Sequence, residues 1–208
     1  MDALAAVARP RVSGGSFLLG IVFVVAGGCS TVPSSSPGET SPKLAPRPLA
    51  TSFTATGRVA ARVTGNSTRG FSGGFTWAHG ADADTIELLT PLGQIAARMR
   101  VTPAGAEVET PDGRKTVADD PERFFSEVAG VGLPLAALPN WMQAVPLSGT
   151  PFRAEADAVG RPAILWQNGW QIQYTEYADT TVSARPTRLQ LSQGDVEARM
   201  IIAEWSSP

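Results

Sequence analysis

The sequence predicts a mainly β fold of the α+β class, in which an antiparallel sheet is covered on one face by short apolar helices. Three observations predict it. Apolar and polar residues alternate with a period of two on either side of the middle of the chain. Turn-forming residues separate these stretches, and the middle itself has helical spacing. A chain of 208 residues, 43% hydrophobic and 17% charged, is long enough to bury one such core.

The first 28 residues have the pattern of a signal peptide. Arg9 and Arg11 precede an apolar run from Phe17 to Ala26. This run is too short to span a bilayer as a helix, which takes about 20 residues, but it suits the apolar part of a signal peptide. We therefore expect residues 1–28 to be removed from the mature protein.

The only cysteine, Cys29, follows the apolar run directly after two glycines. This stretch resembles a bacterial lipobox, although Ala26 stands where leucine is commoner. The resemblance implies that Cys29 becomes the mature N-terminus and carries covalent acyl chains. Ser30, which stands where an aspartate would retain a lipoprotein in the inner membrane, implies the outer membrane. The alternative is an ordinary secretory cleavage site beside a chance cysteine.

Residues 29–50 are rich in proline and serine. Such a composition cannot build a core, so it predicts a semi-extended tether between the anchor and the folded body. The folded domain is predicted to occupy residues 51–208.

The first half of that domain predicts a meander of strands. In each strand, alternate positions are apolar or small and the intervening ones are mostly polar, which is typical of an antiparallel sheet with one wet face. The predicted inner positions are Phe53, Ala55, Gly57, Val59, Ala61 and Val63, then Phe71, Phe75 and Trp77, then Ile95, Ala97, Met99 and Val101.

The middle of the domain predicts two short apolar helices. Asp119 or Asp120 can cap the first, with Pro121 in its first turn. Its apolar residues have helical spacing: Phe124, Phe125, Val128 and Ala129. The second is predicted over Leu135–Gln143, with an interruption near Pro139.

The last part of the domain predicts two more hairpins. Asn168-Gly169 forms the turn of the first, and Gln193–Asp195 forms the turn of the second. The inner rows are predicted to be Trp170, Ile172 and Tyr174, followed by Val196, Ala198, Met200 and Ile202. Since the inner face of the sheet must be covered, the mid-chain helices are its predicted cover.

The turn Pro91-Leu92-Gly93 contains one unexpected residue. Proline and glycine favour a tight turn, but a turn tip faces water and usually carries polar side chains. Leu92 is therefore a candidate for contact with an apolar partner, although single exposed leucines are common on protein surfaces.

Composition and motifs argue against several classes of function. A net charge of −2 with a pI near 5.5 gives no electrostatic basis for binding nucleic acid. One cysteine and one histidine cannot supply an ordinary zinc site. His79 is predicted to be a solvent-facing loop residue, and Glu107 with Glu109 to lie on an exposed strand face. We therefore expect no enzyme activity, no metal and no cofactor other than acyl chains on Cys29.

The domain resembles the LolB family of outer-membrane lipoproteins from about Thr51 to Trp205. The resemblance rests on the order and spacing of several stretches: "GRVAAR", "GGFTW", "IELLTPLGQIAARM", "ADDPERFFSEVAGVGLPLAALPNWMQAVP", "LWQNGWQIQYTEY" and "MIIAEW". It implies an open, unclosed antiparallel β-barrel with helices over a hydrophobic cavity. It also implies transfer of lipoproteins from a LolA-like periplasmic carrier into the outer membrane, with Pro91, Leu92 and Gly93 forming a membrane-insertion loop.

Large side chains on the predicted inner faces are the candidates for the acyl-chain site. They are Phe75, Trp77, Met99, Phe125, Leu138, Trp141, Trp166, Trp170, Ile172 and Tyr174. The expected partners are the carrier, the acyl chains of lipoprotein cargo and outer-membrane lipid, and the chain is expected to act as a monomer. Two alternatives remain open: an anchored module that binds a hydrophobic ligand, and a structural envelope lipoprotein.

Overall fold

The structure, a computed structural model, describes residues 43–207, except for the side chains of residues 66–69 and 128. The predicted signal peptide, Cys29 and the tether up to residue 42 lie outside the described residues. The described chain is mainly β, and none of its helices is long and apolar enough to cross a membrane. Its strands are β1 (Phe53–Val63), β2 (Asn66–His79), β3 (Asp84–Leu89), β4 (Ile95–Thr102), β5 (Gly105–Glu109), β6 (Lys115–Ala118), β7 (Phe152–Ala156), β8 (Pro162–Gln167), β9 (Trp170–Tyr177), β10 (Pro186–Gln193) and β11 (Val196–Ser206).

All of these strands form one antiparallel sheet in the order β6-β5-β4-β3-β2-β1-β11-β10-β9-β8-β7. Two meanders of neighbouring strands therefore meet where β1 pairs with β11, in the centre of the sheet. The outermost strands, β6 and β7, do not pair with each other. The predicted open, unclosed antiparallel sheet is confirmed.

The inner face of the sheet is built from rows of apolar residues that cross the strands. One row runs through Val108, Met99, Ile86, Trp77 and Ala55, which are successive register partners on β5 to β1. A second row runs through Ala61, Ala198, Leu191, Ile172, Leu165 and Ala154 on the other half. Burial of these rows follows from the two-residue alternation, because side chains at every second position point to the same face.

The outer face carries the polar positions and is tied by cross-strand ion pairs. Arg62 bonds Glu197 at 2.6 Å between β1 and β11, and Arg98 bonds Glu87 at 2.8 Å between β4 and β3. Exposed pairs of this kind contribute little to stability. They do mark this face as the one in contact with water.

Two helices lie between β6 and β7 within the described residues, α1 (Pro121–Ala129) and α2 (Leu138–Met142). The side chain of Asp120 accepts a hydrogen bond from the backbone N–H of Arg123 at 3.0 Å, so it is the cap of α1. The predicted second helix was too long. Leu135–Ala137 form a turn, and Pro139 lies in the first turn of α2 instead of interrupting a helix, because that position needs no N–H.

Residues 43–50, which we call the strap, lie against the domain without regular secondary structure. The backbone N–H of Ala45 donates to the carbonyl of Gly160 at 2.9 Å, and Nη2 of Arg47 donates to the carbonyl of Ala184 at 2.5 Å. The folded unit therefore begins before the predicted boundary at residue 51. Composition did not indicate this, because the strap is held by long-range hydrogen bonds.

Candidate functional site

The first part of the candidate site lies on β2 and β4. Phe75, Trp77 and Met99 are all buried, each less than 5% exposed. Phe75 and Trp77 are two positions apart on β2, and Met99 lies on β4 one strand beyond the partner of Trp77. The predicted placement of these three side chains on the inner face is confirmed.

The helices supply the cover over this face. Phe125 and Ala129 are buried from α1, while Leu138, Trp141 and Met142 are buried from α2. Burial of residues four apart on α1 follows from the helical period. On α2, Trp141 is completely buried.

Trp141 connects the helix cover to β8 and β9. Its indole N–H donates to Oε1 of Gln167 at 2.9 Å, and its carbonyl accepts from the hydroxyl of Tyr174 at 2.9 Å. Its ring lies 6.4 Å from the ring of Trp170. Burial raises the pKa of Tyr174 well above its usual value, so the hydroxyl stays protonated as a donor. Trp170, Ile172 and Tyr174 are buried as predicted.

The predicted placement of Trp166 on the inner face is wrong. Trp166 is half-buried on the outer side of β8, where the guanidinium of Arg153 lies 3.9 Å from its ring centre. Its indole N–H donates to Oε1 of Gln171 at 3.0 Å. The inward positions of β8 are Leu165 and Gln167 instead, so an aromatic residue faces outward and an amide faces inward.

Gln167 and Gln143 are buried polar residues that sequence reasoning missed. Gln167 accepts from the N–H of Trp141 and of Leu147, and its Nε2 donates to the carbonyls of Leu147 and Thr150. The amide thus fixes the end of the helix cover against the sheet. No local pattern marks such a residue, since its partners are distant in sequence.

The nine inward candidates are packed with their neighbours in a single hydrophobic core. Two concavities bounded by described residues lie elsewhere. One of about 890 Å³ lies around residues 60–65 and 70–72, beside Glu197 and Arg199. A second, of about 270 Å³, lies between the end of β6 and α1 and is lined by Phe124 among others. These nine candidate acyl-chain residues are themselves buried in that core.

The turn between β3 and β4 is held by three hydrogen bonds around its tip. The N–H of Thr90 donates to the carbonyl of Gln94 at 2.7 Å, and the N–H of Gly93 donates to the carbonyl of Thr90 at 2.8 Å. The N–H of Gln94 also donates to Oγ1 of Thr90 at 3.2 Å. Gly93 has φ 82°, a conformation that favours glycine. Leu92, at the tip, is 89% exposed.

The remaining polar candidates form ordinary pairs. His79 was predicted to face solvent from a loop, but it is the last residue of β2, half-buried, with Nδ1 2.5 Å from Oδ1 of Asp84. Glu107 bonds Lys115 on the exposed face, and this contact lowers the pKa of its carboxyl. The acid of a glycosidase needs the opposite shift. Among the described residues, no cluster of His, Cys, Asp and Glu could hold a metal ion.

Comparisons with known proteins show the family of this chain. The model of the family described as "Outer membrane lipoprotein LolB" matches residues 51–205. This chain belongs to the LolB family. A protein named outer-membrane lipoprotein LolB from Azoarcus sp. is 40% identical to this chain, over 76% of this chain and 80% of that protein. A protein of the same name from Thiobacillus denitrificans is 35% identical, over 87% of this chain and 91% of that protein. A third, from Dechloromonas aromatica, is 31% identical over 91% of this chain and 96% of that protein.

A solved structure of a LolA superfamily protein from Nitrosomonas europaea aligns with a TM-score of 0.47 at 7% identity, over 76% of this chain and 86% of that one. Assignment to the LolB family rests on the sequence matches and not on this alignment. The matched range of the LolB model includes the Leu92 turn and every inward candidate residue. Cys29 lies outside both that range and the described residues.

Proposed function

We propose that the chain is a lipid-anchored receptor that accepts lipoproteins from a LolA-like periplasmic carrier. It then inserts them into the inner leaflet of the outer membrane by non-enzymatic transfer of their acyl chains. One observation supports the proposal most directly. A single covered apolar interior occurs in the same domain as a rigid turn that exposes Leu92, and the family is one of outer-membrane lipoproteins.

The interior supplies the chemistry that an acyl chain needs. Its lining consists of large apolar and aromatic side chains, and burial of each methylene contributes about 0.8 kcal/mol. Because these side chains are packed together, entry of a chain requires part of the helix cover to move away from the sheet. In the proposed mechanism, the moving part is α1.

Contacts support this assignment to α1. The helix buries Phe125 and Ala129 in the core and packs the partly buried Phe124 against it, while its polar residues Glu122, Arg123 and Glu127 are exposed. In contrast, α2 is fixed by the hydrogen bonds of Trp141 with Gln167 and Tyr174. The concavity beside α1 and β6 supports this side as the one from which the cover opens.

The direction of transfer comes from differences in affinity. The sequence contains no P-loop for ATP, so cargo moves from a carrier of lower affinity to this chain and then to the bilayer. The acyl chains at Cys29 hold the domain at the membrane, since several chains make a lasting anchor where one chain is reversible. The turn with Leu92 then contacts lipid during release.

The packed interior favours one competing function, that of a structural envelope lipoprotein without a ligand. A transfer experiment separates the two. A soluble chain beginning at Ser30 is mixed with carrier loaded with lipoprotein, and the distribution of cargo is measured after separation of the two proteins. We expect cargo to move onto this chain. Retention of all cargo by the carrier would contradict the receptor function and favour the structural one.

A further inference from the structure

The indole N–H of Trp77 has no hydrogen-bond acceptor among the described residues, although the side chain is 3% exposed. Two other buried polar atoms share this condition, Nε of Arg47 and Oγ1 of Thr187. Both belong to half-buried residues outside the hydrophobic core. Of these three residues, only Trp77 lies in the hydrophobic core, and its N–H is a buried donor without an acceptor.

Several other described polar groups inside the core region are paired. Trp141 donates to Gln167, Tyr174 donates to the carbonyl of Trp141, and both amide groups of Gln143 and Gln167 are bonded to backbone atoms. A buried donor without an acceptor destabilises the fold, because its desolvation is not compensated. Because the fold leaves the N–H of Trp77 without an acceptor, this donor is available to a ligand.

The register around Trp77 offers no acceptor from side chains. Its partners are Ala55 on β1 and Ile86 on β3, with Met99 next along the same row. All three are apolar, so any side-chain acceptor for this N–H has to come from another element or from a ligand. A charged ligand group would be poorly tolerated here, because burial of an unpaired charge is much more costly than burial of a carbonyl.

We propose that the N–H of Trp77 binds the carbonyl oxygen of an acyl ester or amide when an acyl chain occupies the interior. The inference rests on the proposed function and adds a specificity-determining contact to it. An acyl chain is uncharged, fits an apolar lining, and brings one acceptor at its head. Trp77 lies two residues from the end of β2 at His79, so the carbonyl end stays near this end of the strand while the methylenes extend past Phe75.

The test removes the donor and keeps an aromatic ring. Trp77→Phe is compared with the unaltered protein for binding of a triacylated lipopeptide and of an analogue whose chains are ether-linked and lack carbonyls. We expect the substitution to weaken binding of the acylated probe about tenfold, the effect of about one good hydrogen bond, and to leave the ether probe unchanged. Trp205→Phe is the control, since its N–H donates to the carbonyl of Pro186 at 3.0 Å. It should change neither affinity.

A second measurement uses the unaltered protein, so its result does not depend on whether the variant folds. In ¹⁵N-tryptophan-labelled protein, the indole N–H signal of Trp77 should move downfield with the acylated probe and not with the ether probe. Equal loss of affinity for both probes, or no such difference in the NMR signal, would overturn the inference while leaving carrier-to-receptor transfer intact. Failure to bind either probe would overturn the inference and contradict the receptor function as well.

A diacyl phospholipid serves as a third probe in the same binding experiment. Binding of the lipopeptide in preference to the phospholipid, with the same dependence on Trp77, identifies lipoprotein cargo as the source of the carbonyl. Equal Trp77-dependent binding of both supports the carbonyl contact and identifies acyl lipids in general as its ligands.

Discussion

Gln143 and Ala50 exchange two hydrogen bonds. The N–H of Ala50 donates to Oε1 of Gln143 at 2.9 Å, and Nε2 of Gln143 donates to the carbonyl of Ala50 at 3.1 Å. Gln143 follows α2 directly and is buried. The side-chain amide of Gln143 therefore joins the strap to the end of the helix cover with one accepted and one donated hydrogen bond, as a paired backbone segment would.

Replacement of Gln143 by alanine should release the end of the strap at Ala50. We expect the free energy of unfolding to fall by about 2 kcal/mol, because the partly buried N–H and carbonyl of Ala50 lose their partners. Urea denaturation measures this loss, and the amide exchange of Ala50 should accelerate. Gln193→Ala is the control, since its side chain is exposed and makes one bond to Asn168. Unchanged exchange at Ala50 in Gln143→Ala would contradict the role of this pair.

Replacement of Leu92 by glutamate should block release of cargo into membranes without affecting the fold. The side chain is 89% exposed, so the domain loses no packing, but insertion of a carboxylate into lipid is unfavourable. Delivery to liposomes should fall at least about tenfold, while capture from the carrier stays normal. Val117→Glu is the matched control, because Val117 is 74% exposed on β6. Normal delivery by Leu92→Glu would remove the case for a membrane-contact turn.

Replacement of Gly73 by alanine should be strongly destabilising. A Cβ at this position would lie 1.9 Å from the carbonyl oxygen of Leu89, which is backbone and cannot move away without distortion of the pairing between β2 and β3. We expect a loss of about 3 kcal/mol, at the upper end of overpacking effects. Gly132→Ala is the control, since its nearest contact would be Oγ of Ser126 at 3.8 Å. Thermal unfolding distinguishes them, and equal midpoints would show that the sheet adapts at Gly73.

The carboxylate of Asp157 should make stability dependent on pH in the acid range. It accepts from the N–H of Val159 and from the N–H and Nε of Arg161, at 3.1, 2.8 and 2.7 Å. Burial alone would raise its pKa, but these hydrogen bonds outweigh that effect and lower it. Stabilisation is therefore fully present above the unfolded pKa of about 3.9 and is lost as the pH falls through the lower folded value.

Asp157→Asn should accordingly cost about 2 kcal/mol at pH 7, the range for hydrogen bonds to a charged group. The difference from the unaltered protein should shrink as the pH falls below about 4. Urea midpoints at pH 7, 5 and 3 provide the measurement, with Asp195→Asn in an exposed turn as control. A difference that stays constant over this range would show that the charge of Asp157 is not involved.

Alternation along the chain predicted the inner faces of β1, β2, β9 and β11, because each of these strands has one wet face and one covered face. It failed on β8, where both faces carry large side chains. Trp166 faces outward because Arg153 covers its ring, and Gln167 faces inward because it accepts the N–H of Trp141. The alternation of apolar and polar residues along one strand does not reveal an inward amide, because the hydrogen-bond partners of that amide belong to another element.

The cap and first turn of α1 were also predictable, since Asp120 and Pro121 act within a few residues of each other. The strap was not, because the partners of Arg47 and Ala50 lie far along the chain. Whether the N–H of Trp77 has an acceptor likewise depends on which residues the register places beside it. Local chemistry thus accounts for the elements, while the site depends on long-range pairing.

The pairing of β1 with β11 has a consequence for how the chain folds. Thr54 is the register partner of Ser206, so the first strand cannot complete its pairing until the last strand is available. Until then, β1 has an unpaired edge, and the two meanders have no shared sheet. Contacts of such long sequence separation slow folding, and a partly folded chain with an open strand edge is prone to aggregate. The edge of β1 is therefore open to wrong pairing until the C-terminal strand is available.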